Sequence, residues 1–398
     1  MKANIWLLVL LAAWGCSTKK EQTSGTVTDS IAAADSLQRI APHETIKKDK
    51  SLDALGAFMA GISQRDSNSF TQFENDTYWK EFRTSTDSNW NRLDKERFSK
   101  MKAWQGENLS TRLVDSLKVF YPFSGPDFLH VYYLYPAASD YIFAALEPIQ
   151  AAPQLDTLSA ALREKFLDSL SHSMRDVFNK SYFITSKMQK DIKNVKGVLP
   201  PLYFFIERTG HELLEQHFFY LDSAGSEVII PANRLHWYKT PGVRLVFRNL
   251  ATQQIKQLSY LSLNASNEGL KERPEFAKFI ARNGPYNTFI KSASYLLHRA
   301  PFTEMKKIVL DNSLAIFQDD TGVPYKDLKK RLDWSIDLYG EYTMPVKEFG
   351  ETRFQADLDS AYKNNPPTVD LPFSLGYHWG TKKQNYMLMR KSVIQGSK

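Results

Sequence analysis

Between residues 199 and about 263 the chain breaks into five short runs: "LYFFIE", "HFFYLD", "EVIIP", "VRLVFR" and "QLSYLSL". Each is rich in aromatic or β-branched residues, the chemistry of a half-buried pleated surface. Turn residues separate them, above all the stretch from Asp222 to Ser226 and Pro241-Gly242. Runs this close leave no room for crossover helices, so they are expected to pair as an antiparallel meander.

On either side the spacing is helical. Residues 51–105 carry apolar stripes among charges, and "TLSAALREKFLDSLSHSMRDVF" repeats apolar residues at three and four: Leu158, Leu162, Phe166, Leu170, Met174 and Val177. Beyond the meander, "FTEMKKIVLDN" reads as a helix with Thr303 as N-cap, "SLAIFQ" as a strand and "YKDLKKRL" as a helix. "WSIDLYGEYTMP" follows as a strand, then "ETRFQADLDSAYKNN" as a helix closed by Pro366-Pro367, then "NYMLMRKSV" as a final strand. The fold class expected is α+β: N-terminal helices, a central antiparallel β-meander and a mixed C-terminal part. A body running over 51–398 exceeds the usual size of a single core, and a sub-boundary near 150–200 is open.

The start of the chain is an address rather than a fold. Lys2 precedes a ten-residue apolar run, Ile5 to Trp14, too short to span a bilayer and typical of an export signal. Gly15 and Cys16 close it, and Cys16 is the only cysteine in the sequence. Small residues before a cysteine at the end of such a run resemble the lipobox of bacterial lipoproteins, although Trp14 is bulky for its position. The resemblance implies that residues 1–15 are removed and that Cys16 becomes the acylated N-terminus of an exported, membrane-anchored cell-envelope protein. Its acyl chains would be the membrane contact, each buried methylene contributing about 0.8 kcal/mol. With Cys16 lipidated there is no disulfide, so the core alone must hold the fold.

Residues 17–50 are polar and poor in large apolar side chains, and read as a flexible tether reaching on the order of 30 Å. The formal net charge is +7, but the basic residues are scattered. The tightest group, Lys187, Lys190, Lys193 and Lys196, reads as a solvated helix face, so no nucleic-acid partner is expected.

Two stretches carry candidate chemistry. In "YPFSGPDF" (121–128), Pro122 ends the strand "DSLKVFY" and Gly125-Pro126 makes a turn, with Asp127 placed to cap a helix over "FLHVYYLY". Ser124, Asp127 and His130 lie three apart, yet Pro126 breaks the helix that would align them. In "FQDDTGVPY" (317–325), Asp319 and Asp320 stand at a strand end before a glycine turn. Asp320-Thr321-Gly322 matches the aspartic-protease tripeptide, but a single copy cannot supply the two carboxylates such an enzyme needs. Local Asp-to-backbone bonding explains the same residues.

Other signals are weaker. His211 and His217 in "HELLEQH" are six apart rather than the four of a zinc-protease helix, so no metal site is expected. The S-x-x-K spacing of Ser99 and Lys102 falls on a charged helix. His298 closes the apolar run "SASYLLH", where a structural histidine is the plainer account. There is no Gly-rich phosphate loop or dinucleotide fingerprint, and no cofactor is expected.

The blocks "FYPFSGPDF", "LEP" (146–148), "SASYLLH", "QDDTGVPY" and "LPFSLGY" resemble recurring blocks of a family of exported bacterial proteins without an assigned activity. That resemblance carries no catalytic role. The function expected is binding or scaffolding at the envelope, of a protein or small-molecule ligand the sequence does not name. Ser124, Gln318 and Tyr325 are the candidate ligand contacts. The alternative is an envelope hydrolase using the carboxylates of Asp127, Asp319 or Asp320 with His298 or Tyr325 nearby. A third reading is an accessory subunit docked through exposed aromatics.

Overall fold

The computed structural model describes residues 46–113, 117–183, 195–367, 369–379 and 384–391. The signal, Cys16, the tether up to residue 45 and the group Lys187, Lys190 and Lys193 lie outside the described residues.

The strands are β1 (Lys118–Pro122), β2 (Asp140–Ala145), β3 (His211–Leu221), β4 (Glu227–Ile230), β5 (Pro241–Asn249), β6 (Ile255–Ser262), β7 (Tyr286–Ile290), β8 (Ser313–Gln318), β9 (Trp334–Gly340) and β10 (Asn385–Lys391). They form one mixed sheet in the order β4-β3-β5-β6-β2-β1-β7-β8-β10-β9. The five central strands, β6 to β8 in that order, pair in parallel, and both flanks are antiparallel. The fold is α+β. Strands from both sides of 150–200 share this sheet, and the described residues fall in one compact unit, Gln38–Lys398.

Period-2 alternation divides each central strand between two cores. Val119, Tyr121, Phe143 and Phe317 face one layer of helices; Phe120, Ile142, Ile290 and Ile316 face the other. The first layer holds α1 (Lys50–Met59), α2 (Thr77–Leu93), α3 (Ser99–Asn108), α4 (Phe128–Leu134), α5 (Ala160–Lys180) and α6 (Leu199–Arg208). The second holds α7 (Asn267–Lys271), α8 (Pro274–Asn283), α9 (Thr303–Asn312), α10 (Tyr325–Leu328) and α11 (Ala356–Asn364).

The expected meander is corrected in two respects. "LYFFIE" is helical, within α6, and Leu199 to Glu207 are all buried. A helix buried on every side loses its 3.6-residue pattern and resembles a strand; the start signal was Pro200-Pro201 in its first turn. The remaining runs do pair antiparallel, but β3 is eleven residues long and takes β4 on one edge and β5 on the other. Thr303 is the first residue of α9 rather than its cap, a position taken by Phe302.

Two short strands of the parallel core, "DYIFAA" (β2) and "YNTFI" (β7), have no counterpart among the sequence expectations. Both are covered on both faces, so they lack the alternation that marks a half-exposed strand.

Candidate functional site

The order of the parallel strands fixes where a crevice opens. After β1 the chain turns into α4, which packs in the first layer; after β7 it leads to α9, in the second. Neighbouring loops that leave toward opposite faces leave a gap outside the carboxyl ends of the strands, the switch point where open α/β sheets bind ligands. A cavity of about 220 Å³ lies there, lined from the ends of β1, β2, β6 and β7, including Ser124, Asp127, Glu147, Asn264, Lys291 and Ser292. "YPFSGPDF" is therefore both a turn and one wall of a cavity.

Beneath the cavity lies a buried ion pair. Asp127 caps α4: Oδ1 accepts from the His130 amide at 3.2 Å and from His130 Nδ1 at 2.8 Å. Oδ2 accepts from Tyr121 Oη at 3.1 Å and from Lys291 Nζ at 2.7 Å. Burial alone would raise the Asp127 carboxyl; His130 and the Lys291 ammonium hold it below the ordinary carboxylate range. Lys291 is itself pushed below its ordinary value by burial, against the pull of Asp127, and it also donates to the Ser181 carbonyl. Burial lowers His130 to about 4, so at neutral pH it is uncharged, with its Nδ1 proton on Asp127 and Nε2 facing Arg97 at 3.4 Å.

The second acidic group stands behind the end of β8. Asp319 accepts from Thr321 N at 3.0 Å and Thr321 Oγ1 at 2.5 Å through Oδ1, and from Ser292 N at 2.9 Å through Oδ2. Burial and the adjacent Asp320 raise it to about 6. Asp320 accepts from Tyr295 Oη at 2.5 Å, His378 Nε2 at 2.9 Å and Asn385 Nδ2 at 3.0 Å. Burial works against the proton on His378, but the Asp320 carboxylate outweighs it and raises the imidazole above its ordinary value. Asp127 and Asp319 thus hold consecutive residues, Lys291 and Ser292, and the two acidic groups brace one loop.

Of the residues singled out in the sequence, Ser124 and Asp127 line the cavity. Gln318 is fully buried, bonded through both amide atoms to Val323, and holds the 319–322 turn shut. The Tyr325 amide donates to Gln355 at 2.9 Å. His298 lines a separate cleft with Pro324 and Arg353; among the described residues no hydrogen bond joins it to Asp319 or Asp320, and burial lowers it to about 4. The imidazole that meets Asp320 is His378, four residues beyond Ser374 of the "LPFSLGY" block.

Lys291, Tyr295 and His378 carry no local motif, because their partners lie 25 to 164 positions away. One local cue was available: Lys291 stands alone between the apolar run "YNTFI" and three small residues.

His211 and His217 part company at a bulge between Leu213 and Glu215. His211 is buried among Phe128, Tyr132 and Phe247, while His217 pairs with Glu215 at 3.0 Å. Ser99 donates to Asp94 at 2.9 Å on a helix surface. Among the described residues, no cluster of three or more His, Cys, Asp or Glu side chains could hold a metal ion, and no helix is long and apolar enough to cross a membrane.

No family model matches this chain, and neither a curated protein nor a solved structure matches it.

Proposed function

We propose that this chain is a lipid-anchored envelope protein that captures a small ligand in the switch-point cavity without converting it. The observation that carries the reading is a ligand-sized cavity in which the buried hydroxyl of Ser124 has no base beside it. Ser124 Oγ has no hydrogen-bond partner among the described residues, and both ring nitrogens of His130 face other groups. An activated nucleophile needs a base within hydrogen-bond reach. The anchor rests on the lipobox resemblance at Cys16, and the body's role as a binder on the cavity.

The hydrolase reading retains one supporting observation: Asp319, held at about 6, is poised to exchange a proton near neutrality. Both of its oxygens, however, are occupied by Thr321 and Ser292, and it does not line the cavity.

The test is a thermal-shift screen of the full chain against small metabolites, repeated on Leu146→Trp. Leu146 lines the cavity but is 56% exposed, so the larger ring narrows the mouth without disturbing the core. A ligand present at about 100 times its Kd stabilises the fold by about 2.7 kcal/mol, a rise of roughly 5 °C. The rise is expected in the wild type, absent in Leu146→Trp, with the compound recovered intact. Product formation that depends on Asp319 would replace this reading with the hydrolase. For the anchor, labelled palmitate should enter the wild type and not Cys16→Ser; a wild type that takes up no label removes that part.

A further inference from the structure

The lining of the cavity specifies the chemistry of its occupant more closely than binding alone, an assignment that rests on the chain being a binder. Three features converge. The first is size. At about 220 Å³ the cavity falls below the roughly 300–1,000 Å³ typical of drug-sized ligands, so it suits a single ring.

The second is charge. The lining carries one ammonium, Lys291, already bonded to Asp127 at 2.7 Å, and a second carboxyl, Glu147, raised by burial and bonded to Tyr260 Oη at 3.2 Å. An entering anion would meet two carboxyl groups and a cation that is already paired. A cation would meet the Lys291 ammonium, with Asp127 already paired to it and burial favouring the neutral form of Glu147. A neutral ligand meets neither obstacle.

The third is unmet hydrogen bonding. Ser124 is 5% exposed, and its Oγ, like that of Ser292, is buried with no partner among the described residues. Lys291 commits protons to Asp127 and Ser181, and its Nζ lies 3.4 Å from His130 Nδ1, so it is a secondary donor beside the two serines. A serine hydroxyl both donates and accepts, and its natural complement is another hydroxyl.

The backbone supports this arrangement. Phe123, Ser181, Ser292, Ser294 and Tyr295 all have φ between 53° and 63°, a left-handed region costly for residues with a side chain. Such conformations cluster where surrounding structure holds side chains for function. Around the polar end stand two ring pairs, Phe123 with Phe302 at 6.1 Å and Tyr182 with Tyr377 at 4.6 Å. Their electron-rich faces complement the C–H faces of a saturated ring.

We infer that the switch-point cavity takes a neutral, polyhydroxylated ring of monosaccharide size, its hydroxyls on Ser124 and Ser292 and its ring faces against the aromatic pairs. Such a ring is either a free sugar or the terminal unit of an envelope glycan, and both present the same hydroxyls.

The experiment is calorimetric titration of the full chain with the methyl glycosides of glucose, galactose and N-acetylglucosamine. Butyrate, butylammonium and cyclohexanol serve as anionic, cationic and singly hydroxylated controls. At least one glycoside is expected to bind saturably. Ser124→Ala and Ser292→Ala should each weaken it by about three- to tenfold, the loss of one hydrogen bond, with the melting temperature of the free protein not lowered. A longer glycan ending in the same unit binding as tightly as the methyl glycoside assigns a terminal unit; exclusion of the glycan assigns a free sugar. Binding of butyrate, butylammonium or cyclohexanol in preference to every glycoside overturns the ligand class and leaves the binding reading standing. Glycoside binding indifferent to both serine variants places the sugar elsewhere and also overturns the inference. If no probe binds and the metabolite screen is equally silent, both fall.

Discussion

Replacing Lys291 with methionine isolates the buried ion pair beneath the cavity. The lysine and Asp127 side chains are 1% and 2% exposed, and their charged atoms lie 2.7 Å apart. Methionine fills most of the stem's volume, so the main loss is electrostatic. Removing one partner of a buried pair typically costs about 3–5 kcal/mol because the other charge is left without compensation. For a body of this size that is a fall in Tm of roughly 6–10 °C at pH 7.

The pH dependence separates charge from packing. In the wild type the folded-state value of Asp127 is depressed, so its contribution is present above the unfolded value of about 3.9 and is lost as pH falls through the folded one. In Lys291→Met, burial remains without the cation's share of the depression, and the folded value rises. The variant then carries a penalty at neutral pH that disappears as Asp127 takes up a proton. The gap between the proteins should therefore be widest at pH 7 and narrower at pH 4. The double variant Lys291→Met/Asp127→Asn should recover most of the loss at pH 7. Urea denaturation followed by tryptophan fluorescence at the two pH values reads all three proteins. A deficit equal at pH 7 and pH 4, and not relieved in the double variant, would refute the electrostatic account and leave a packing defect.

Two further perturbations probe the loop over the cavity. Gly376 has φ +66°, and a Cβ there would come within 2.6 Å of Ser292 Oγ and 3.2 Å of Asp319 Oδ2. Gly376→Ala should cost about 1–2 kcal/mol or more, read as a lowered Tm, and weaken any cavity ligand by displacing Ser292. His378→Gln should cost about 1–3 kcal/mol at pH 6 by removing a charged hydrogen bond to Asp320. Because the His378 value is raised on folding, that stability is full below about 6.5 and is lost as pH rises through the folded value. Melts at pH 6 and pH 9 should show the wild-type advantage shrinking, and an advantage that grows with pH would contradict the pairing.

What the sequence determined was local. The three- and four-residue spacing from Phe166 to Val177 needs only one helix with one buried face, and that helix is α5; Leu158 falls before its start and Leu162 is left exposed. Pro126 and Asp127 prescribe a turn and a cap from their own backbone chemistry, and Asp127 does cap α4. Turn residues from Asp222 to Ser226 separate β3 from β4 in the same way. Within a dozen residues, covalent geometry and hydrophobic period are sufficient.

Only the tertiary structure decided the rest. Whether "LYFFIE" is a strand or a helix depended on being enclosed on all sides, which erases its period. The parallel core was hidden for the same reason in β2 and β7, and with it the switch point where the cavity opens. Lys291 reached Asp127, and His378 reached Asp320, across 164 and 58 positions of sequence. Such pairings are set by the order in which strands assemble, β1 beside β7 in parallel and β8 beside β10 antiparallel, through long connections whose destination no local pattern records.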